Sequence, residues 1–570
     1  MPDWLKKNLL CYGDNLGFLS NPFDFPNECV DLIYLDPPFN SQQNYNVLFK
    51  ESTGTPEAAQ IKAFEDTWTW DMAANKALTQ IHQDAAVPGP LIELTDTFMK
   101  FLKPSPMMAY LVQMSIRLVH MHRVLKPTGS IYLHCDPTAS HYLKLILDAV
   151  FGPTHFINEI VWRRSKPHGN VFNRYGSIHD IILFYSKGAE TTWTKPHLRY
   201  DEMSKEDLEK VHAQYNMLDE KGRRFQATSL LNPNPDRPNL TYEFHGYAKV
   251  WRWTKERMLK AEADGLLYFP KAGDGIPREK RYLDEQEGIP LQDIWEEEDV
   301  KPIPAQAAER MGYPTQKPVG LLRRVISSSS NPGDVILDPF CGCGTTIDAV
   351  ETLNRENPDK PPRMWIGIDI THLSINLIKH RLTRFTPLPE YDVKGEPESD
   401  AAAAALAKDD AYQFQFWALG LVGARPVGGE KKKGADRGID GIRYFMDEVK
   451  GGQPVMRKML VQVKGGHVKS GDIRDLVGTL SREGAEMGAF ITLEEPTQPM
   501  KNEAASAGLY KSPWDNQEYP KLQILTIKEL LADPHRPNPR CLQVPGGAAS
   551  HTLPDPAKHK TKGKKTSELF

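Results

Sequence analysis

The sequence contains no apolar run near the roughly 20 residues that cross a bilayer, so it predicts no membrane protein. Met1 to Lys7 lack the charged-then-apolar pattern of a secretory signal, and the six cysteines are scattered without the spacing of a disulfide framework. Together these absences predict a protein of the reducing cytoplasm. A large charge of one sign is also missing, because the formal net charge is −4. The composition as a whole therefore does not point to a polyanionic partner.

Contacts with nucleic acid would have to come from local basic patches. For each patch taken alone, a solvated surface or a disordered end is the better interpretation. The candidates are Trp162-Arg163-Arg164 with Lys166 and His168, the run Lys431 to Lys433, and the tail from Lys558 to Lys565.

A chain of 570 residues is too long for one ordinary core and predicts three or four structural units. Strand-like and helix-like segments alternate in two separated stretches, which indicates one parallel α/β sheet built from both. The first stretch has strands at 30–35, 130–134 and 157–162 and helices at about 106–125 and 142–150; the second has helices at about 318–327 and from 345, and strands at 335–337 and 364–368.

Between these stretches the sequence becomes polar, proline-rich and aromatic-rich, as expected of an inserted module. After about residue 387 an acidic and then alanine-rich segment indicates a linker into a separate domain, whose loss should leave the first part intact. The predicted units are 1–164 (first half of the sheet), 165–310 (insert), 311–390 (second half), 391–410 (linker), 411–540 (C-terminal α/β domain) and 541–570 (flexible basic tail).

The loop that runs from Asp338 to Thr346 follows a strand and opens a helix. Glycine at 342 and 344 lets backbone approach a ligand closely, and the helix amides then face that ligand. Many tight turns need the same residues, so the loop alone is weak evidence. Asp369 strengthens it, because an acid at the end of the next strand is placed to bind a ribose diol. Cys341 and Cys343 lack the further clustered ligands of a zinc site.

The tetrapeptide Asp36-Pro37-Pro38-Phe39 ends the strand at 30–35. An exocyclic amine of adenine or cytosine is a poor nucleophile, because its lone pair is delocalised into the ring. The Asp36 carboxylate and the Pro37 carbonyl could accept its two N–H bonds and localise that lone pair. Pro38 would stiffen the loop, and Phe39 would stack on a base flipped from the duplex. Alone, the tetrapeptide could be only a rigid turn; beside the glycine loop, that alternative becomes weak.

With these motifs in place, the sequence resembles the DNA amino-methyltransferases in the permuted order called the β class, over about residues 8 to 385. The catalytic tetrapeptide matches Asp36 to Phe39, and the Phe-x-Gly-x-Gly cofactor loop matches Phe340, Gly342 and Gly344. The resemblance also implies that Gly13-Asp14-Asn15 lies beside the adenine of the cofactor and that Asp369 binds its ribose. The segment from Thr315 to Pro318, which includes Lys317, would lie beside the methionine part of the cofactor. Asp338 and Thr345 flank the cofactor loop.

The resemblance implies a Rossmann-like, seven-stranded sheet that binds S-adenosylmethionine, with residues 165–310 choosing the sequence in double-stranded DNA. Asp at the first motif position favours methylation of adenine N6, by base flipping and direct attack. The role it implies is restriction–modification or phage defence, with a homodimer or restriction-system subunits as partners. Cytosine N4, RNA as substrate, and a DNA-binding module with vestigial sites remain alternatives.

The C-terminal domain carries Asp440 and, on a later strand, Gln462 and Lys464, which alternation places on one face. A carboxylate and a second oxygen ligand can hold Mg²⁺, and a lysine beside them can position the attacking water. The region 411–530 resembles the restriction-endonuclease-like fold, in particular its Mrr-like branch. This resemblance implies Mg²⁺-dependent cleavage of DNA with Asp440 as the metal ligand. The alternative is a degenerate domain that only binds DNA.

Overall fold

The computed structural model describes residues 7–38, 44–50, 56–65, 68–167, 169, 173, 175–200, 203–270, 275–304, 306–307, 309–313, 315–427, 439–450, 453–532 and 542–545. Phe39, His168 and the basic runs 431–433 and 558–565 lie outside the described residues. The chain forms two compact units: 1–194 with 293–295 and 300–570, and 195–292 with 296–299. In the described part, no helix is both long and apolar enough to cross a membrane.

The N-terminal part of the first unit alternates strands and helices much as the hydrophobic pattern predicts. Its elements are β1 (Asn8–Tyr12), α1 (Asn15–Leu19), β2 (Val30–Leu35), β3 (Asn44–Lys50), β4 (Pro56–Glu65), α2 (Met72–Gln83), α3 (Gly89–Leu102), α4 (Pro106–Val124), β5 (Leu125–Cys135), α5 (Ser140–Phe151), β6 (Phe156–Arg163) and β7 (His179–Ser186).

The second unit contains short strands and two helices around a core that includes Phe244 and Trp251. It is smaller than the insert expected at 165–310, because β7 belongs to the main sheet of the first unit. Its elements are β8 (His197–Leu198), α6 (Lys205–Gln214), β9 (Met217–Leu218), β10 (Arg224–Ser229), β11 (Thr241–Phe244), β12 (Tyr247–Val250), α7 (Lys255–Ala263), β13 (Leu267–Tyr268), β14 (Arg278–Tyr282) and β15 (Ile289–Pro290).

The remainder of the first unit completes the main sheet and adds a second one. Its elements are β16 (Ile294–Trp295), α8 (Val319–Ser329), β17 (Val335–Asp338), α9 (Thr345–Glu356), β18 (Met364–Asp369), α10 (His372–Leu382), β19 (Tyr391–Lys394), α11 (Asp400–Asp409), α12 (Ala411–Leu421), β20 (Arg425–Pro426), β21 (Gly441–Lys450), β22 (Gln453–Lys464), α13 (Ser470–Glu483), β23 (Met487–Thr492), α14 (Gln498–Ser506), β24 (Leu509–Lys511), β25 (Glu518–Pro520), β26 (Leu522–Thr526) and α15 (Ile527–Leu531).

The main sheet has nine strands in the order β16-β6-β7-β5-β2-β17-β18-β1-β19. The expected seven-stranded sheet is therefore corrected to nine, because short strands extend both edges. β7 runs antiparallel to β5 and β6, whereas β2, β17, β18 and β1 are parallel to one another. The pairing of β2 with β17 confirms that one sheet is built from two separated stretches of chain, and the predicted α/β class is confirmed.

Parallel order in the centre of this sheet decides where functional side chains meet. The carboxyl ends of β2, β17, β18 and β1 all lie at one edge, which is where ligands bind in open α/β sheets. Helix α4 packs behind this edge, and its N-terminus is capped by Ser105, whose hydroxyl accepts from the Met108 amide. Most of its residues are buried, and its Arg117 reaches the cavity at this edge.

The C-terminal part of the first unit has its own sheet, in the order β20-β21-β22-β23-β26. The segment interpreted as a linker, 391–410, instead contains β19, which pairs with β1, and helix α11. Helix α12 then packs on α10: Gln413 Oε1 accepts from the His372 backbone amide at 2.9 Å, and Asn376 Nδ2 donates to the Phe416 backbone carbonyl at 2.7 Å. These contacts weigh against the expectation that this domain can be removed without effect on the first part, which stays a prediction.

Candidate active site

Four acidic residues occupy the carboxyl edge of the main sheet. Asp36 follows β2, Asp338 ends β17, Asp369 ends β18, and Asp14 follows β1. All four line one cavity of about 240 Å³, together with the glycine loop and Lys317. The structure thus brings together the residues that the sequence assigned to catalysis and to cofactor binding, Phe39 excepted.

Asp36 is held by an ion pair with one of its two oxygens. The Lys317 ammonium donates to Asp36 Oδ2, and only about a tenth of the lysine side chain is exposed. The other oxygen, Asp36 Oδ1, is buried and has no hydrogen-bond partner among the described residues. An unpartnered buried carboxylate oxygen is costly unless a ligand satisfies it, so Oδ1 is suited to accept from a donor that enters the cavity.

The loop after Asp36 is fixed by a neighbour that the sequence did not indicate. Trp68 Nε1 donates to the Pro38 carbonyl at 3.4 Å, and the Trp68 ring lines the cavity beside Pro37. No short motif surrounds this tryptophan, so only the fold reveals its position. An aromatic surface therefore lies at the site even without Phe39, which is outside the described residues.

The glycine loop between β17 and α9 has the geometry of a ligand cradle. Gly342 and Gly344 have φ of +49° and +77°, a region that residues with a Cβ rarely adopt. A Cβ on Gly344 would lie 2.7 Å from Ile378. The Phe340 amide donates to Asp338 at 3.1 Å, which secures the start of the loop, and Thr345 opens α9 and donates to the Lys317 carbonyl at 3.3 Å.

Asp338 and Asp369 lie on either side of this loop and are both buried. Burial raises the pKa of Asp338 to about 7, although hydrogen bonds from Thr346 and Phe340 lower it in part. Burial also raises the pKa of Asp369, against hydrogen bonds from the Thr371 and Gly342 amides. Carboxyl groups with a raised pKa favour a positively charged ligand, because a cation stabilises their ionised form.

Asp14 is positioned by its neighbours at the start of α1. Its carboxylate caps the helix by accepting from the Leu16 amide at 3.0 Å, and it pairs with Arg117 Nη2 at 2.7 Å. Asn15 links the same segment to the loop, since its amide donates to the Pro339 carbonyl at 2.7 Å. The sequence missed Arg117, although an arginine in the middle of the apolar helix α4 is a signal that could have found it.

The C-terminal candidate site is only partly assembled as a metal centre. Asp440 accepts from Gln415 Nε2 at 3.0 Å and from the Val463 amide at 2.7 Å. Gln462 and Lys464 share one face of β22, and Gln462 Oε1 is buried without a partner in the part of the chain that the structure describes. Within that part, no group of three or more His, Cys, Asp or Glu side chains could hold a metal ion.

Comparison with known proteins adds family matches to both regions. Residues 30–380 match the family model described as DNA methylase, and residues 426–532 match the one described as NACHT-associated inactive restriction endonuclease 1. Both predicted resemblances are thereby confirmed. The second description names inactive nucleases, and among the described residues no group of three or more metal-ligating side chains includes Asp440.

Several curated proteins are similar in sequence. The chain is 34% identical over 265 residues to the Type II methyltransferase M.EcaI of Enterobacter cloacae, over 46% of this chain and 54% of that protein. It is 28% identical over 364 residues to the StyLTI Mod subunit, a Type III restriction-modification enzyme of Salmonella typhimurium, over 61% and 50% of the two chains. It is 24% identical over 373 residues to the DNA adenine methyltransferase YhdJ of Escherichia coli, over 65% and 82%. The chain thus spans about half the length of the first two relatives.

Proposed function

The chain belongs to the DNA methylase family, and on that premise we propose that it transfers a methyl group from S-adenosylmethionine to N6 of adenine in double-stranded DNA. The role is that of a modification enzyme in restriction–modification or phage defence. The observation that carries the proposal is the unpartnered, buried Asp36 Oδ1 in the same cavity as the glycine loop. One cavity then holds an acceptor for the target amine and a cradle for the methyl donor.

The residues of the cavity fit the cofactor by their chemistry. Asp369 would bind the ribose hydroxyls, since its Oδ2 accepts from the Gly342 amide and a carboxylate oxygen can accept more than one hydrogen bond. Gly342 lines the cavity, the positive φ of Gly342 and Gly344 shapes the loop, and Asp14 and Phe340 line the cavity for the adenine. The bound cofactor supplies an electrophilic methyl group on a positively charged sulfur, and Asp338 is placed to favour that charge.

The chain's own residues activate the base. Asp36 Oδ1 and the Pro37 carbonyl accept the two N–H bonds of the flipped exocyclic amine and draw its lone pair out of conjugation. Trp68, and Phe39 by its place in the motif, offer aromatic surface for the base. Lys317 holds Asp36 in place through Oδ2 and leaves Oδ1 directed to the substrate.

The relatives' names support the proposed base and the proposed partners. Adenine is favoured over cytosine N4 because Asp stands first in the tetrapeptide and one relative is named a DNA adenine methyltransferase. The Mod subunit among the relatives supports restriction-system subunits as partners, with a homodimer as the alternative. We assign sequence recognition to the unit at 195–292, which lies within the predicted region 165–310.

The deciding experiment is the sequencing of modified bases in a host that expresses the chain. We expect N6-methyladenine in one sequence context, absent with Asp36→Ala. N4-methylcytosine in that context would reassign the base. A host without either modification, in the presence of folded protein, would contradict the proposed function.

The second candidate function is Mg²⁺-dependent DNA cleavage by the C-terminal domain. The observation that favours it is Gln462 Oε1, a buried oxygen without a partner among the described residues, on the same strand face as Lys464. The amide of Val463, between these two residues, donates to Asp440. Asp440 and Gln462 would supply two oxygen ligands, and Lys464 would orient the water. Plasmid cleavage with Mg²⁺ or chelator tests this activity.

A further inference from the structure

A buried arginine on α10 holds the glycine loop from outside the cavity lining. Arg381 Nη1 donates to the Cys343 carbonyl at 3.1 Å and to the Thr345 hydroxyl at 3.3 Å. Its Nε donates to Asp348 Oδ2 at 2.5 Å, and the two side chains are 3% and 0% exposed. Since Asp348 lies on α9, this one guanidinium joins the loop to both helices that follow it.

The Thr345 hydroxyl connects this anchor to a second segment of the chain. A guanidinium has no acceptor, so Thr345 can only accept from Arg381. The single hydrogen of the hydroxyl is then available for another partner, and the Lys317 carbonyl accepts it at 3.3 Å. Cys343 Sγ, at 3.9 Å, is a weaker acceptor than that carbonyl. These directions follow from the kinds of groups present and need no assumption about a group that titrates near neutrality.

The position of Lys317 depends on such contacts, because this residue lies in the loop before α8 and belongs to no helix or strand. Its ammonium donates to Asp36 Oδ2, the carboxylate whose Oδ1 is open to the target amine. Consecutive hydrogen bonds therefore run from Arg381 through Thr345 and Lys317 to Asp36. A shift of the Lys317 backbone would displace its ammonium and, with it, the carboxylate.

We propose that Arg381 is a positioning residue that fixes the cofactor loop and Asp36 relative to each other. The inference rests on the proposed methyl transfer. In that reaction the methyl donor and the target amine must meet at bonding distance, and a small misplacement of either is costly. Arg381 holds the donor side through the Cys343 carbonyl and the acceptor side through Thr345, and it does not line the cavity itself.

Thr345→Val tests the connection with little change of shape. It removes the hydroxyl but leaves the bonds from Arg381 to Cys343 and Asp348 in place. We expect kcat, measured at saturating cofactor and DNA, to fall on the order of 10-fold, because one neutral hydrogen bond that positions a reacting group is lost. Thr345→Ser keeps the hydroxyl and should retain most of the activity. An equal loss in the two variants would overturn the inference.

Thr352→Val is the matched control for the threonine. Thr352 lies further along α9, and its hydroxyl donates to the same carboxylate, at 3.4 Å from Asp348 Oδ1. Asp348 holds Arg381 through its other oxygen, so this substitution perturbs the ion cluster without removing a bond to the loop or to Lys317. We expect the kcat of the wild type. A loss as large as that of Thr345→Val would overturn the inference.

Two arginines on one carboxylate allow a second comparison. Arg384 Nη2 also pairs with Asp348, but its side chain is 45% exposed. Lysine can keep an ion pair but lacks the fork of donors with which Arg381 reaches Cys343 and Thr345. Arg381→Lys should therefore lower kcat and weaken cofactor binding by calorimetry, whereas Arg384→Lys should change neither. Equal effects of the two substitutions would overturn the inference.

A readout without cofactor or DNA separates this inference from the proposed function. Lysines of the folded protein are acetylated with acetic anhydride and quantified by mass spectrometry. Lys317, which is 10% exposed and held by Asp36, should react several-fold faster in Thr345→Val than in the wild type or in Thr345→Ser. Lys126, paired with Asp31, is the internal reference and should react equally in all three. An unchanged rate at Lys317 in Thr345→Val would overturn the inference, whereas absence of methyl transfer in the wild type would contradict the proposed function.

Discussion

Lys317 donates a hydrogen bond to Asp36 across 281 positions of sequence and thereby joins the two halves of the main sheet at the active site. The sequence placed Lys317 beside the cofactor and Asp36 beside the base. Because Lys317 and Asp36 form an ion pair, the cofactor-binding site and the base-binding site are in direct contact. The carboxylate is consequently fixed through one oxygen before substrate arrives.

Asp36→Ala should abolish methyl transfer, because it removes the acceptor for the target amine. We expect a loss on the order of 10²–10³ in kcat, measured with radiolabelled methyl groups. Asp31→Ala is a matched control, since Asp31 lies on the same strand and also pairs with a lysine, Lys126, at 2.8 Å, but does not line the cavity. Transfer that persists in Asp36→Ala would contradict the assignment.

Replacing Gly342 or Gly344 by valine should impair cofactor binding. Both positions have positive φ, and a side chain on Gly344 would also displace Ile378 at 2.7 Å. Calorimetry with the cofactor and with its demethylated product should show weaker binding of both. Gly17, where a Cβ would meet nothing within 4 Å, provides a control substitution to alanine. Unchanged affinity in the loop variants would count against the cradle.

Asp338 should make stability depend on pH. Its pKa is about 7 when folded, against an ordinary 3.8, so the folded state keeps a proton that the unfolded state has lost. The free energy of unfolding should therefore fall as the pH rises from about 4 through 7, by on the order of 4 kcal/mol from this group. Asp338→Asn should lack this slope.

Thermal melts of wild type and Asp338→Asn at pH 5 and pH 8 measure the difference. Asp392→Asn, at a half-exposed carboxylate, is the control and should retain the wild-type slope. Saturating cofactor should reduce the slope in the wild type, because a positive ligand favours the ionised carboxylate. Parallel curves for wild type and Asp338→Asn would contradict the raised pKa.

The helix contact between α12 and α10 predicts that the C-terminal domain supports the cofactor loop. Phe416 packs in a cluster with Tyr313, Cys343, Leu373 and Leu377, and Tyr313 contacts the position of a Cβ on Gly342. Phe416→Ala should lower the free energy of unfolding by about 3–5 kcal/mol and weaken cofactor binding. Tyr412→Ala, at an exposed position of α12, should leave both nearly unchanged. Equal effects of the two substitutions would show that the contact is not specific.

The sequence predicted those features that depend on local chemistry. Strand β2 and the Asp-Pro-Pro turn, or the loop with Gly342 and Gly344, follow from residues next to one another in the chain. It did not predict contacts between distant parts of the chain, such as Lys317 with Asp36 or Arg117 with Asp14, because no spacing links residues that meet only in the fold. It also treated 391–410 as a linker, since the short β19 has little hydrophobic pattern and an alanine-rich helix resembles a spacer.

The nuclease-like site predicts a gain of function as well as a loss. Mg²⁺ prefers charged oxygen ligands, and Gln462 is neutral while its Oε1 is buried and lacks a partner in the described part of the chain. Gln462→Glu keeps the shape and adds the missing charge. It should therefore lower the Mg²⁺ concentration needed for plasmid cleavage, whereas Asp440→Ala and Lys464→Ala should abolish cleavage and spare methylation.

Unmodified and fully modified plasmids, each with Mg²⁺ or chelator, show whether modification protects the DNA. The control is Gln523→Glu, at a buried glutamine on β26 that bonds the Gln543 carbonyl and is remote in sequence from Asp440. If the wild type cleaves DNA and a chelator stops the cleavage, this chain differs in activity from the inactive nucleases that its C-terminal region matches. With two carboxylates beside Lys464, the Gln462→Glu variant has every group that hydrolysis needs from the protein. If neither the wild type nor this variant cleaves DNA while both are folded, the domain is a DNA-binding accessory.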